Sequence, residues 1–189
     1  MSFARGMMTM ELRGPFGRRA LCIAGGRGTV MNIDEILRRL AAVDREAGTT
    51  SQVFDALQVA GPEHLVHAAR SALIALATKR NFASSLGMEL MCRVAAERQI
   101  GRATEKVGVR QGVRELAFVV VGTSRAQVRA AMARIFHELE VEWDDGVLEF
   151  RRDKASAIQR TFSISREELG VAPLEKLVLE RIALLALAK

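Results

Sequence analysis

The sequence has no tyrosine and one tryptophan, and aromatic residues make up 5% of its 189 positions. A platform that stacks unpaired bases needs several exposed rings. Their scarcity argues against one, so Trp143 and the phenylalanines read as core. Cysteine is nearly absent. Cys22 and Cys92 stand far apart among apolar neighbours and form neither a CxxC pair nor a disulfide framework, which fits a reducing, cytoplasmic setting. No apolar run approaches the length of a membrane span, so no membrane partner is expected. The opening MSFARGMMTM lacks the apolar stretch of a signal peptide. Residues 1–8 are expected to be a disordered leader or an over-extended start, since Met7, Met8 and Met10 follow. There is no GxxxxGK[ST], no G-x-S-x-G and no HExxH. The GGRG of residues 25–28 lacks the full set of fingerprint glycines and reads as a plain turn. Asp144 and Asp145 are adjacent, which suits a turn and not a general acid–base pair. Internal repeats and low-complexity segments are also missing.

What is present is an ordinary globular composition, 49% hydrophobic and 26% charged, in a chain long enough for one domain with a real core. The net charge of +6 fits either a solvated, arginine-rich surface or contact with nucleic acid, and charge alone does not choose between them. Residues 9–24 read as a β-hairpin turning at Gly-Pro-Phe-Gly. A helix follows, with Asn32 as N-cap, Glu35 closing a capping box, Ile33, Ile36, Leu37 and Leu40 on one face, and Gly48 as its stop. A strand is expected through Val53, Ala56 and Val59. A long helix then opens on Pro62 and runs to about Arg80, with Leu65, Ala69, Ala72, Leu73 and Leu76 inward. The next helix starts near Met88 and continues through Ile100 to Gly108. In it Met88, Met91 and Ala95 are expected to face inward and Glu89, Arg93 and Glu97 to face water as ion pairs. ELAFVVVG (115–122) is the clearest strand and central in its sheet. Ser124 and Gln127 open a helix carrying Val128, Ala131, Met132, Ile135, Phe136 and Leu139. Two or three short helices close the chain, one capped by Ser165 and the last opening on Pro173. This irregular order predicts an α+β fold, a small mixed or antiparallel sheet packed with several helices in a single domain spanning residues 9–189.

Two patterns invite a functional reading. His64 and His67 lie at i and i+3, a spacing that can place two ligands on one metal, but no third ligand is evident. The alternative is a pair of packed, hydrogen-bonded histidines. The last helix is amphipathic at first but apolar on every side from Ile182 onward. Ile182, Leu184, Leu185 and Leu187 cannot all enter one core from one helix, so either the chain end folds back on itself or a partner covers it.

Several ordered pieces resemble a known family. They are EHLVHA (63–68), NFASSLGME (81–89), RQIGRATEKVGV (98–109) and the C-terminal LEKLVLERIALL (174–185). In this order and spacing, from about Phe54 to Gly122 and again at the end, they resemble the small PRPK-binding subunit of the KEOPS complex (the TPRKB-like family), most closely its archaeal members. One departure is Ala96, where glycine is often expected before the RQI. The resemblance implies a non-catalytic subunit without cofactor or metal, serving a complex that makes threonylcarbamoyladenosine in tRNAs reading ANN codons. It implies direct binding and regulation of the kinase/ATPase subunit, indirect association with the rest of KEOPS, and help in holding tRNA, with a role at its 3′ end. On that reading the kinase docks on Ile182, Leu184, Leu185 and Leu187. The tRNA would meet Lys79, Arg80, Asn81, Arg98, Gln99 and Arg102, if the helices bearing them pack as a hairpin. Competing readings are a stand-alone RNA-binding module and a metal-dependent enzyme using His64 and His67.

Overall fold

The computed structural model describes residues 7–187. In chain order it begins with β1 (Met8–Gly14), β2 (Gly17–Arg27), α1 (Ile33–Ala47), β3 (Thr50–Asp55), α2 (Pro62–Ala77), α3 (Leu86–Val94) and α4 (Ile100–Val107). It continues with β4 (Glu115–Gly122), α5 (Arg125–Glu138), β5 (Glu142–Trp143), α6 (Arg152–Thr161), α7 (Arg166–Leu169) and α8 (Leu174–Leu187). The α+β class holds, with a sheet that is antiparallel in every described pairing. Two compact units can be distinguished. The first takes the chain up to Ala56 together with Val109–Leu148, and the second takes Leu57–Gly108 and everything from Glu149 onward. Among the described residues no helix is long and apolar enough to cross a membrane.

The first unit holds the sheet, in the order β1-β2-β4-β3, with β5 added on β2. The hairpin closes at Gly14 opposite Gly17. Met8 already lies in β1, while residues 1–6 of the expected leader fall outside the described residues. The expected GGRG turn is instead strand: β2 runs on through Gly25, Gly26 and Arg27, paired with Ala117, Leu116 and Glu115. Glycine is required there by close approach. A Cβ on Gly25 would lie 2.6 Å from the Asp144 carbonyl oxygen, and one on Gly26 would run into Val141 and Phe136. β4 is interior, as its apolar run predicts, and only its first residue, Glu115, is not fully buried. β3 ends at Asp55, short of the predicted Val59, because residues 56–58 wind into a 3₁₀ turn.

Helices α1 and α5 cover one face of this sheet. Ala20, Cys22 and Ala24 of β2 and Phe118 and Val120 of β4 meet Leu40 and Val43 of α1 and Val128, Ala131, Met132 and Ile135 of α5. Full burial of each large apolar side chain contributes about 1.5–3 kcal/mol. The caps work as predicted on one side only. Asn32 accepts from the Glu35 N–H, but the Glu35 carboxylate turns to Arg38 and Arg39. Ser124 accepts from the Gln127 N–H, while Gln127 Oε1 takes the Thr123 N–H and its amide donates to the Ala47 carbonyl. That last bond ties the end of α1 to the start of α5.

In the second unit α8 packs on α2 and α3. Pro62 opens α2 as expected, and the helix ends at Ala77. Leu174, Leu177, Val178 and Ile182 form the buried stripe of α8, at the spacing of one helix face. Ser165 and Glu168 complete a reciprocal capping box on α7. The single helix expected from Met88 to Gly108 is two: α3 and α4 are separated where Ala96 enters the left-handed region at φ 50°.

Candidate functional site

The joint between α2 and α3 is built around a buried charge pair. Helix α2 unwinds through Thr78 and Lys79, the latter at φ 56°, and the Arg80 N–H returns to the Ala75 carbonyl at 2.8 Å. This is the hydrogen-bond pattern of a left-handed C-cap, with lysine where glycine is usual. The following turn is held from α3. Glu89 Oε2 accepts the Phe82 N–H at 2.7 Å and the Ala83 N–H at 2.9 Å, while Oε1 accepts Nε of Arg93 at 2.8 Å. Arg93 donates onward to Ser71 Oγ and to the Arg80 carbonyl, and its guanidinium lies 4.5 Å from the Phe82 ring centroid. Glu89 is 0% and Arg93 1% exposed. The predicted orientation of this helix holds only in part: Met91 and Ala95 are buried as expected, but Glu89 and Arg93 are core, and Met88, expected inside, is 45% exposed. The physical reason is satisfaction. Both carboxylate oxygens and the guanidinium find partners inside the joint, so burial leaves neither group unpaired.

Lys79, Arg80, Asn81, Arg98, Gln99 and Arg102 are all exposed. The Phe82 ring links the two groups. The turn carrying Arg80 and Asn81 leads into Phe82, and the Arg98 guanidinium lies 5.2 Å from the same ring centroid. Gln99 occupies the N-cap position of α4 but makes no side-chain capping bond, so its amide is not spent on the helix. Arg102 lies in the first turn of α4. A cleft of about 350 Å³ adjoins the joint, lined by His67, Arg70, Ser71, Thr78, Arg80 and Arg93 among others, with no carboxylate in its lining. Sequence reasoning missed Phe82 and Arg70 here, took His67 for a candidate metal ligand and placed Arg93 on the water-facing side. A signal for Arg93 existed: LGMELMCRVAA offers almost no polar position besides 89 and 93, too few for a water-facing side.

The histidine pair is not a metal site. His64 is fully buried, its Nδ1 accepts the Ala60 N–H at 3.1 Å, and its Nε2 donates to the Val94 carbonyl at 2.9 Å. Both ring nitrogens are used, so no lone pair remains for an ion. Burial lowers its pKa to about 4 against the raising effect of the Val94 bond. His67 lines the cleft. Among the described residues no group of three or more His, Cys, Asp or Glu side chains could hold a metal. Burial raises both thiols, Cys92 to about 11, so neither is a thiolate at neutral pH. Asp144 and Asp145 sit at a turn, where Asp144 accepts from the Gly146 N–H and from Arg27. Trp143 stacks on Phe136 at 3.6 Å.

The four apolar residues of the last helix divide. Ile182 is fully buried in the stripe described above and offers no docking area, which corrects its assignment to a contact surface. Leu185 is half-buried. Leu184 and Leu187 point outward, 47% and 76% exposed.

Comparison with known proteins covers most of the chain. Residues 28–186 match the family described as Kinase binding protein CGI-121. The chain is also similar to a regulatory protein, Cgi121, of Methanocaldococcus jannaschii, with 32% identity over 142 residues, 75% of this chain and 87% of that protein. The extent of the family match and the coverage of this relative agree, and the chain belongs to the CGI-121 family.

Proposed function

We propose that this chain is a non-catalytic, cytoplasmic subunit associated with the KEOPS tRNA-modification complex. It binds and regulates the kinase/ATPase subunit through Leu184 and Leu187, with Leu185 at the margin, and meets the rest of the complex through that partner. It also helps to hold the 3′ end of ANN-decoding tRNAs on Lys79, Arg80, Asn81, Arg98, Gln99 and Arg102. Family membership supports the association, and the observation that carries the tRNA role is the exposed cationic joint around Phe82. Its guanidiniums and amides can pair with phosphates and the edges of unpaired bases. A positively lined cleft adjoins it.

The test separates the two surfaces. Leu184→Arg with Leu187→Arg abolishes co-purification with the kinase and leaves tRNA binding intact. Arg80→Glu with Arg98→Glu weakens tRNA binding at least tenfold and flattens its salt dependence, with kinase binding unchanged. Retained kinase binding in the first variant would show that α8 is not the docking element, and an unmodified chain that binds tRNA but no kinase would favour a stand-alone RNA-binding module. An unchanged tRNA titration in the second would remove the joint from the RNA surface.

A further inference from the structure

The β1–β2 hairpin carries a second cationic surface, on the first unit. Side chains alternate between the faces of a strand, and directly paired residues share a face. Ala20, Cys22 and Ala24 point into the core beneath α5. Arg18 precedes Ala20 by two residues and so lies on the same face, beyond the end of that core. Arg13 is paired with Arg18 and Glu11 with Ala20, so both join it. Helix α5 begins on this side: Arg125 acts electrostatically on Glu11, and Arg129 acts on Cys22. Arg13, Arg18, Arg125 and Arg129 are all exposed, Arg13 and Arg18 at 76% and 67% of their side chains. Glu11 stands among them, bonding Arg13 at 2.7 Å and lying 3.8 Å from Arg18. Its pKa is held low by the Arg13 hydrogen bond first and then by the fields of Arg13, Arg18 and Arg125, against a raising effect of burial.

Glu11 offsets only one of these four charges, and the remainder works against stability. Like charges directly opposite on paired strands repel, as do like charges at i and i+4 on a helix. Arg13 faces Arg18 across the hairpin, and Arg125 and Arg129 are four apart on α5. A polyanion relieves both repulsions. The hairpin precedes residue 28, where the family match begins, so Arg13 and Arg18 lie outside the matched segment and Arg125 and Arg129 within it. Among the described residues the guanidiniums recorded over a ring are Arg93 and Arg98, both in the second unit, and none of these four. We propose that the hairpin and the first turns of α5 form a second RNA contact, which grips backbone phosphates without reading sequence. This rests on the reading of the chain as a tRNA binder.

The experiment titrates the full chain with labelled tRNA and with a blunt 16-base-pair RNA duplex, at several salt concentrations. The Arg18→Gln, Arg125→Gln, Arg129→Gln variant should weaken both ligands at least tenfold and make the slope of log K against log[salt] shallower by about 2. The corresponding Arg→Lys variant should restore the slope, since phosphate contact needs charge and not a stacked plane. Arg80→Gln with Arg98→Gln should still bind the duplex. A slope unchanged by the triple Gln change overturns the hairpin contact, and the tRNA reading survives if the Arg80/Arg98 variant is defective. A triple variant that loses slope beside an unaffected Arg80/Arg98 variant keeps the hairpin contact and removes the joint. A wild-type chain that binds neither RNA overturns both. A triple variant that binds RNA normally but loses the kinase shows that the surface docks an acidic protein face, which also overturns the proposal.

Discussion

Replacing Arg93 by methionine separates two readings of the same pair by several kcal/mol. On a solvated helix face, a Glu and an Arg four residues apart contribute about 0.3–0.5 kcal/mol. In the structure the side chains of Glu89 and Arg93 are 0% and 2% exposed, and Glu89 Oε1 lies 2.8 Å from Nε and 2.7 Å from Nη2 of Arg93. Arg93→Met removes both of those contacts and leaves a buried carboxylate held only by the Phe82 and Ala83 amides. Removing one member of a buried pair costs about 3–5 kcal/mol. That is a large part of the roughly 5–15 kcal/mol of a typical domain. Glu89→Gln strands the guanidinium in the same way. The double variant carries neither charge, so its cost should fall short of the sum of the singles by about 1–3 kcal/mol. Urea unfolding followed by circular dichroism measures each term. With a slope of about 1–3 kcal/mol per molar urea, the Arg93→Met midpoint should drop by about 1 M or more. A cost below about 1 kcal/mol, additive with Glu89→Gln, would mean that the pair is solvated, and the account of the joint would fail. Loosening the joint should also weaken RNA binding, because Arg80 and Asn81 are positioned by the turn that Glu89 and Arg93 hold.

Two further predictions concern single residues. The pKa of His64 is about 4 in the fold against 6.5 for the free side chain, so the unfolded chain takes up its proton first as pH falls. The stabilisation is complete above about pH 6.5 and is lost towards pH 4, by about 3 kcal/mol in total. His67, lowered by burial and by Arg70, acts in the same direction. The difference in urea midpoint between wild type and His64→Gln should therefore shrink over that range, and a constant difference would refute the assignment. Ala96 holds φ 50°, a conformation that costs a residue with a Cβ about 1–2 kcal/mol. Ala96→Gly should be stabilising by about 0.5–1 kcal/mol once the greater freedom of glycine in the unfolded chain is subtracted. A loss of stability would mean that the Ala96 methyl packs usefully.

Legibility of the fold followed local chemistry. The hairpin turn, the central strand at 115–122, Pro62 at a helix start and the Ser165 cap were readable because each rests on residues a few positions apart. Readings failed where a distant segment decides. Gly25 and Gly26 look like a turn, yet they are the only residue type that lets Asp144, Val141 and Phe136 approach β2 so closely. Ala96 shows the opposite case. The glycine expected from family resemblance marks a left-handed residue, and the fold keeps that conformation although this chain has alanine there.

The site was half legible for a related reason. Arg80 and Arg98 could be proposed from the family resemblance together with their places at helix ends. The groups that bring them to one ring could not, since an i,i+4 ion pair looks the same on a wet surface and in a core. What distinguishes the two cases is the number of hydrogen-bond partners, and here these come from Ser71, Arg80, Phe82 and Ala83, up to 22 residues away in sequence. The last helix shows the same limit for apolar residues. An all-round greasy segment cannot say which side is buried until its neighbours are known, and packing on α2 and α3 takes Ile182 inward while Leu184 and Leu187 stay outside. For a chain whose proposed work is contact and not chemistry, function therefore resides in which ordinary residues are turned outward. Substituting the hidden partners should disturb binding as surely as substituting the exposed residues themselves.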